Sequence, residues 1–140
     1  MKRTIQKQNV WSAAVEDRPG ALAEKLAALA EAGADLEFVL ARRLDDKPGN
    51  GIVFVAPIRG ARQTKAATAN GFSACQSLFC LRVEGRNRPG EGAVHAKALA
   101  NEGINLRGFA AATIGARYVL HVAFDSEADL KKAQRILARC

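Results

Sequence analysis

The chain has 140 residues, of which 49% are hydrophobic and 25% are charged, and its formal net charge is +7. This length suits one domain or two small ones, and the composition is ordinary for a globular protein. No apolar stretch approaches the roughly 18 residues of a membrane span, so we expect no membrane partner. The basic excess is shared by both halves without a Lys/Arg run, which disfavours a nucleic-acid-binding tail.

The N-terminal segment and the cysteines bear on the compartment. Residues 1–6 are basic but are not followed by an apolar core, so we expect no secretory signal and a cytoplasmic location. The cysteines, Cys75, Cys80 and Cys140, are odd in number and lack C-x-x-C spacing. We expect them to be reduced thiols rather than a disulfide framework.

Residue periodicity and Gly/Pro turns predict the elements of the first half of the chain. In chain order they are a strand at 9–15, a helix beginning at Pro19, strands at 36–43 and 52–58, a weak helix at 61–69 and a short strand at 71–76. The first helix carries leucines at helical spacing, at positions 22, 26 and 29. Pro19 suits the first turn of a helix and Gly33 suits its C-cap.

The second half repeats this pattern. Its predicted elements are a strand at 77–83, a helix beginning at Pro89, strands at 106–114 and 118–124, and a helix at 127–138. The turn D-R-P-G at 17–20 recurs 70 residues later as N-R-P-G at 87–90. Such a match of turn, helix and helix stop indicates an internal duplication.

The order β-α-β-β-α-β predicts an α+β fold of two ferredoxin-like repeats, each an antiparallel sheet with two helices on one face. We divide the chain into residues 1–76 and 77–140. The second repeat ends in its last helix, so we expect its fourth strand to be missing at the C-terminus. The stretch at 4–7 could stand in for that strand.

The repeated R-P-G turn suggests a binding site. It places Gly20 or Gly90 at a helix N-terminus, where backbone N–H groups favour an anion such as a carboxylate. The oxygen-bearing residues near each turn, Asp17 with Asp35 and Asn87 with Asn105, could accept hydrogen bonds from an ammonium. The alternative is structural: Asp17 and Asn87 would cap helices and nothing would bind. The residues themselves leave both interpretations open.

Each repeat resembles an ACT domain, the regulatory βαββαβ module of amino-acid metabolism. The resembling segments are VEDRPGALAEKLAALAEAGADL and VEGRNRPGEGAVHAKALANEGINL. The resemblance implies a non-catalytic sensor without a cofactor, built from units that pair side by side. It also implies an amino-acid effector, a homodimer and a partner enzyme of amino-acid metabolism. By residue-wise carry-over, the ligand-binding residues would be Asp17, Pro19, Gly20, Ala21 and Asp35 in one site, and Asn87, Pro89, Gly90, Glu91 and Asn105 in the other.

The two sites are not equivalent. An Asp35 carboxylate would repel a ligand carboxylate, whereas Asn87 and Asn105 are neutral, so the second site is preferred. Gly92 stands where the first repeat has Leu22, which either thins the core of the second repeat or makes room near a ligand.

Other functions are less well supported by the sequence. His95 and His121 lack metal-ligand spacing with the cysteines, and we expect His121 on a sheet face. LRGFAAA at 106–112 partly resembles an RNA-recognition signature, but it falls on the second strand and lacks the further aromatic residues that stack bases. A protein–protein assembly module without a ligand remains the main alternative, and RNA binding is the weaker one.

Overall fold

The computed structural model describes residues 3–139, so the predicted thiol of Cys140 lies outside the described residues. Its elements are β1 (Thr4–Gln8), β2 (Trp11–Glu16), α1 (Ala21–Glu31), β3 (Phe38–Arg43), β4 (Asn50–Ala56), α2 (Gly60–Ala69), β5 (Ser73–Ala74), β6 (Phe79–Arg86), α3 (Glu91–Asn101), β7 (Gly108–Ile114), β8 (Arg117–Phe124) and α4 (Glu127–Arg139). Every predicted helix and strand is present, with ends that differ by a few residues.

The chain forms two units, which we call the N-terminal unit (residues 9–75) and the C-terminal unit (residues 3–8 with 76–139). The N-terminal unit has a four-stranded antiparallel sheet in the order β3-β4-β2-β5. The sheet of the C-terminal unit has the order β1-β6-β8-β7 and is likewise antiparallel. The predicted α+β fold with two βαββαβ-type repeats is therefore confirmed.

The first strand of the chain belongs to the second unit. β1 pairs antiparallel with β6, from Thr4 opposite Glu84 to Gln8 opposite Cys80. Ile5 also packs against the core of that unit. This pairing satisfies an edge of β6 that would otherwise lack a partner. It supports the fourth-strand role predicted for 4–7. In the structure, residues 3–8 group with the C-terminal unit and not with the first repeat.

Each unit has its own hydrophobic core. In β8 the even-numbered residues Tyr118, Leu120, Val122 and Phe124 are buried and pack on Leu99 and on α4 residues in one cluster. The N-terminal unit has a smaller cluster around Leu29, Val53, Val55 and Phe72. Trp11 packs at the side of that cluster. Among the described residues, no helix is long and apolar enough to cross a membrane.

Candidate functional site

Each R-P-G turn ends at a glycine with a left-handed backbone. Gly20 has φ of 88° and Gly90 has φ of 87°, and each immediately precedes a helix. A side chain at either position would strain that conformation. Neither helix has a side-chain hydrogen bond at its N-cap. The structure therefore does not support helix capping as the role of Asp17 or Asn87.

The two turns are anchored in the same way. The backbone N–H of Asp17 donates to the carbonyl of Gly49 at 3.0 Å, and that of Asn87 donates to the carbonyl of Ala116 at 2.8 Å. Gly49 and Ala116 precede β4 and β8, the strands beside β2 and β6. Each turn is thus held over the end of the neighbouring strand.

A cavity of about 250 Å³ lies in the C-terminal unit between this turn, the start of α3 and strands β7 and β8. Its lining residues are Asn87, Arg88, Pro89, Gly90, Glu91, Gly92, His95, Ala111, Ala112, Thr113, Tyr118 and Leu120. Four residues of the predicted second site, Asn87, Pro89, Gly90 and Glu91, are therefore brought together. Asn105 does not line this cavity; it is exposed in the segment before β7.

The inner wall of the cavity carries a buried polar pair. His95 is 0% exposed and Tyr118 is 6% exposed, and the imidazole Nε2 is hydrogen-bonded to the tyrosine hydroxyl at 2.7 Å. Burial lowers the pKa of His95, the positive charge of Arg3 acts in the same direction, and Glu91 opposes it. The imidazole is therefore neutral at pH 7 and serves as a polar group rather than as a cation.

Glu91 is the acidic residue of the cavity. Its side chain is 11% exposed, and its Oε1 accepts a hydrogen bond from Arg88 Nε at 3.2 Å. Its other oxygen, Oε2, lies 3.6 Å from Arg3 Nη2 and 3.7 Å from His95 Nε2. Oε2 is buried and accepts no hydrogen bond within residues 3–139. Because Glu91 opens α3, the helix dipole favours its negative charge.

Gly92 contributes space. A Cβ at this position would lie 3.8 Å from the ring of Phe109, which is ordinary contact distance. Gly92 also lines the cavity, whereas Leu22 fills the corresponding position of the N-terminal unit. The replacement noted in the sequence therefore leaves room at the helix mouth.

The corresponding cavity of the N-terminal unit is about 210 Å³ and is lined by Val15, Glu16, Asp17, Arg18, Leu22, Ala41, Arg42, Arg43 and Gly51. Asp17 is the only residue of the predicted first site that lines it; Pro19, Gly20, Ala21 and Asp35 do not. Asp17 is paired with Arg43 at 2.9 Å. The charged side chains around the cavity of the N-terminal unit are therefore largely paired with each other.

Arg18 illustrates that internal pairing. It contacts Glu24 at 2.9 Å and Glu16 at 2.7 Å, and the hydrogen bonds to these two carboxylates raise its pKa. All three side chains are well exposed, so the cluster adds little stability. Arg88, its counterpart in the C-terminal unit, instead contacts the largely buried Glu91.

The polar wall also has no counterpart in the N-terminal unit. The residues in place of Glu91, His95 and Tyr118 are Ala21, Lys25 and Gly51. Lys25 donates instead to the carbonyl of Asn70 at 2.6 Å. The two cavities thus have turns of the same backbone conformation but are lined by chemically different side chains.

Sequence reasoning missed His95 and Tyr118 as members of the site. Part of the signal was available, since Glu91 and His95 are four residues apart and face the same side of a helix. Tyr118 joins them through the pairing of β6 with β8, which the sequence does not specify. His121, on the other face of the sheet as predicted, donates from Nδ1 to Gln8 Oε1 at 2.8 Å. Within the described part of the chain, no three His, Cys, Asp or Glu residues cluster as a metal site.

No protein-family model matches the chain, and no curated protein matches it. Solved structures match it over nearly its whole length. A protein from Bacteroides thetaiotaomicron has a TM-score of 0.75 at 18% identity, over 96% of this chain and 88% of that one. The regulatory subunit of aspartate kinase from Thermus thermophilus, in its ligand-free form, has a TM-score of 0.65 at 17% identity, over 97% of each chain. The alpha and beta subunits of aspartokinase have a TM-score of 0.67 at 18% identity, over 98% of this chain and 95% of that one.

The chain has a tandem ACT fold. The fold that the resemblance implies is therefore confirmed. In ACT terms, the unit at 9–75 is inserted between the first strand and the remainder of the second ACT unit. The cavity described above is at the β6–α3 turn of that second ACT unit.

Proposed function

We propose that this protein is a non-catalytic regulatory module of the cytoplasm that binds an amino acid or a similar small metabolite in the cavity of the C-terminal unit. The observation that carries the proposal is the convergence of an open helix N-terminus, an arginine, a largely buried carboxylate and a neutral amide on one cavity of about 250 Å³. Small-molecule sites typically combine apolar walls with a few convergent polar groups.

An amino acid has groups that suit this arrangement. Its carboxylate would lie toward the N-terminus of α3 and Arg88, where backbone amides and positive charge favour an anion. Its ammonium would lie toward oxygen acceptors of Asn87 and Glu91. Its side chain would contact apolar residues of the wall, which include Ala111 and Leu120. Pro89 and Gly90 shape the turn that positions these groups.

Asn105 and the N-terminal mouth take lesser roles in this proposal. Asn105 lies outside the cavity and would contact a ligand only where a second copy of the chain completes the site. The turn of the N-terminal unit would have a mainly structural role, because the charged side chains around it are paired with each other. This role applies to the predicted first site, Asp17, Pro19, Gly20, Ala21 and Asp35.

Regulation would require assembly. The strands β3 and β7 are edges of their sheets, and edges of this kind can pair with another chain. We propose a homodimer that associates with an enzyme of amino-acid metabolism, in line with the aspartate kinase regulatory subunit among the fold matches. A ligand alters such an assembly only if it binds the two assembly states with different affinity.

Thermal-shift measurements with each of the L-amino acids test this function. At least one should raise the melting temperature, because a ligand that binds only the folded state stabilises it. Asn87→Ala should remove this shift, and Asp17→Ala, the matched change in the other turn, should retain it. If no amino acid stabilises the protein, the sensor proposal fails.

The second candidate is an assembly module that needs no ligand. It is favoured by the exposed apolar side chains of β7, where Phe109 is 42% exposed and Ile114 is 79% exposed. Under this alternative, Ile114→Ser would disrupt association while amino acids would have no effect on it. Sedimentation analysis with and without amino acids separates the two candidates.

A further inference from the structure

We infer that the Glu91 carboxylate binds the ammonium of a zwitterionic ligand. In the absence of ligand, Arg88 pairs with this carboxylate, and the ligand displaces it. This inference rests on the proposed function and states which side chains of that site recognise the charged groups of the ligand. It names the ligand class as small molecules that carry an ammonium beside a carboxylate, as opposed to simple carboxylic acids.

The hydrogen bonding of Glu91 motivates the inference. Its side chain is nearly 90% buried, yet Oε2 has no hydrogen-bond donor among residues 3–139, and Oε1 is bonded only to Arg88. A buried carboxylate oxygen without a donor is costly. An ammonium brings three N–H donors at one small centre and could serve both oxygens.

The surrounding charges leave this role to a ligand. Arg3 is 3.6 Å from Oε2, which is charge pairing without a hydrogen bond. His95 is 3.7 Å from the same oxygen, but burial lowers its pKa and the imidazole is neutral at pH 7. Among residues 3–139, the remaining cation paired with Glu91 is Arg88, at 3.2 Å.

Arg88 can leave the carboxylate when the ligand arrives. Its side chain is 71% exposed, so the guanidinium is solvated when it moves, and the incoming ammonium balances the charge of the largely buried Glu91. Once displaced by the ammonium, the guanidinium stays at the rim of the same cavity, which Arg88 lines. There it can pair with the carboxylate of the bound zwitterion in bidentate geometry.

The turn of the N-terminal unit has no buried carboxylate that pairs with its arginine. Its equivalent of Glu91 is Ala21, which is 4% exposed, and its equivalent of Arg88 is held by the exposed carboxylates of Glu16 and Glu24. The same R-P-G turn therefore offers no buried acceptor there. Selective ammonium recognition is expected in the C-terminal unit alone.

Calorimetric titration with paired probes tests the inference. The probes are the L-amino acids and, for each, the carboxylic acid that lacks the α-amino group. In the unaltered protein the amino acid that binds best should bind about ten- to a hundredfold more tightly than its deaminated partner. Glu91→Gln, which preserves the shape of the side chain, should abolish most of this ratio. Glu24→Gln, a matched loss of an arginine-paired carboxylate at the other turn, should leave the ratio unchanged.

The outcomes separate the two proposals. If no amino acid binds the unaltered protein, the proposed function itself is overturned. If amino acids bind but their deaminated partners bind equally well, the role assigned to Glu91 is overturned and the proposed function stands. The same holds if Glu91→Gln retains the full ratio. The comparison of probes in the unaltered protein needs no variant to fold.

Discussion

Tyr118 lies directly opposite Gly85 in the β6–β8 pair, and its ring occupies the space that a side chain at Gly85 would take. An added Cβ at Gly85 would come within 2.7 Å of the ring and 2.9 Å of the hydroxyl. In the N-terminal unit the sizes are exchanged, with Val15 opposite Gly51. The missing side chain at Gly85 thus allows the tyrosine to lie across β6 and reach His95 at the wall of the cavity.

Gly85→Ala tests this relationship. The new methyl group must displace a buried ring, so we expect a loss of about 1–3 kcal/mol in the free energy of unfolding. Gly108→Ala is the control, because its Cβ would sit at an ordinary 3.6 Å from Ala123 in the same sheet. Urea unfolding of the two variants should differ clearly. Equal stabilities would mean that the ring is not confined by Gly85.

Tyr118→Phe tests the buried hydrogen bond. The change keeps the ring but removes the hydroxyl that bonds Nε2 of the fully buried His95. Loss of one partner of a buried polar pair should cost about 1–3 kcal/mol. A double-mutant cycle with His95→Leu measures the coupling, since the cost of Tyr118→Phe should shrink when the histidine is absent. Additive effects would contradict a direct interaction.

Gly92→Leu tests the cavity itself. It installs the residue found at the equivalent position of the N-terminal unit, Leu22, and replaces a helical glycine. We expect stability to be unchanged or higher, because leucine is the better helix former by roughly 0.5–1 kcal/mol. Amino-acid binding should nevertheless be lost, because the side chain would fill the space at the helix mouth. Thermal melts with and without amino acids would show both effects, and retained binding would place the site elsewhere.

The pH dependence of the free energy of unfolding should reflect the lowered pKa values of His121 and His95. Burial, reinforced by the positive charge of Arg82, lowers the pKa of His121 from its usual 6.5 to about 4. Between these values the unfolded chain binds more protons than the folded protein, so the free energy of unfolding should decrease as the pH falls from about 6.5 to about 4. The lowered pKa of His95 acts in the same direction.

His121→Gln checks that assignment. Glutamine retains a polar contact near Gln8 but does not titrate, so the decrease in stability with falling pH should become shallower. Urea unfolding across this range gives the slope for the variant and for the unaltered protein. An identical slope would show that His121 does not contribute to it.

Deletion of residues 1–8 tests the origin of the fourth strand. The deletion removes β1 and exposes one side of β6. The C-terminal unit should lose more than the about 1 kcal/mol typical of a point mutation, while the N-terminal unit should not. Amide hydrogen exchange can measure both in one experiment. Amides of β6 should exchange faster and those of β4 should keep their protection; uniform acceleration would contradict the assignment of β1 to the C-terminal unit.

The candidate site was predictable in part. The turn residues Asn87, Pro89, Gly90 and Glu91 were identified because helix N-termini and R-P-G turns have local signatures. The predicted strand begins at residue 106, whereas β7 begins at Gly108, and Asn105 in the segment before it does not line the cavity. The difference in strand start reflects the low precision of element ends when only local patterns are available.

The sequence by itself determined the duplication, the order of helices and strands and the ACT-like fold, because periodicity, Pro/Gly turns and helix caps depend on neighbouring residues along the chain. Only the tertiary structure decided that β1 completes the second unit, and that Glu91, His95 and Tyr118 meet at one of two similar mouths. The pairings involved are Thr4 with Glu84 and Gly85 with Tyr118, far apart along the chain. They depend on strand register and side-chain packing, which local spacing does not encode.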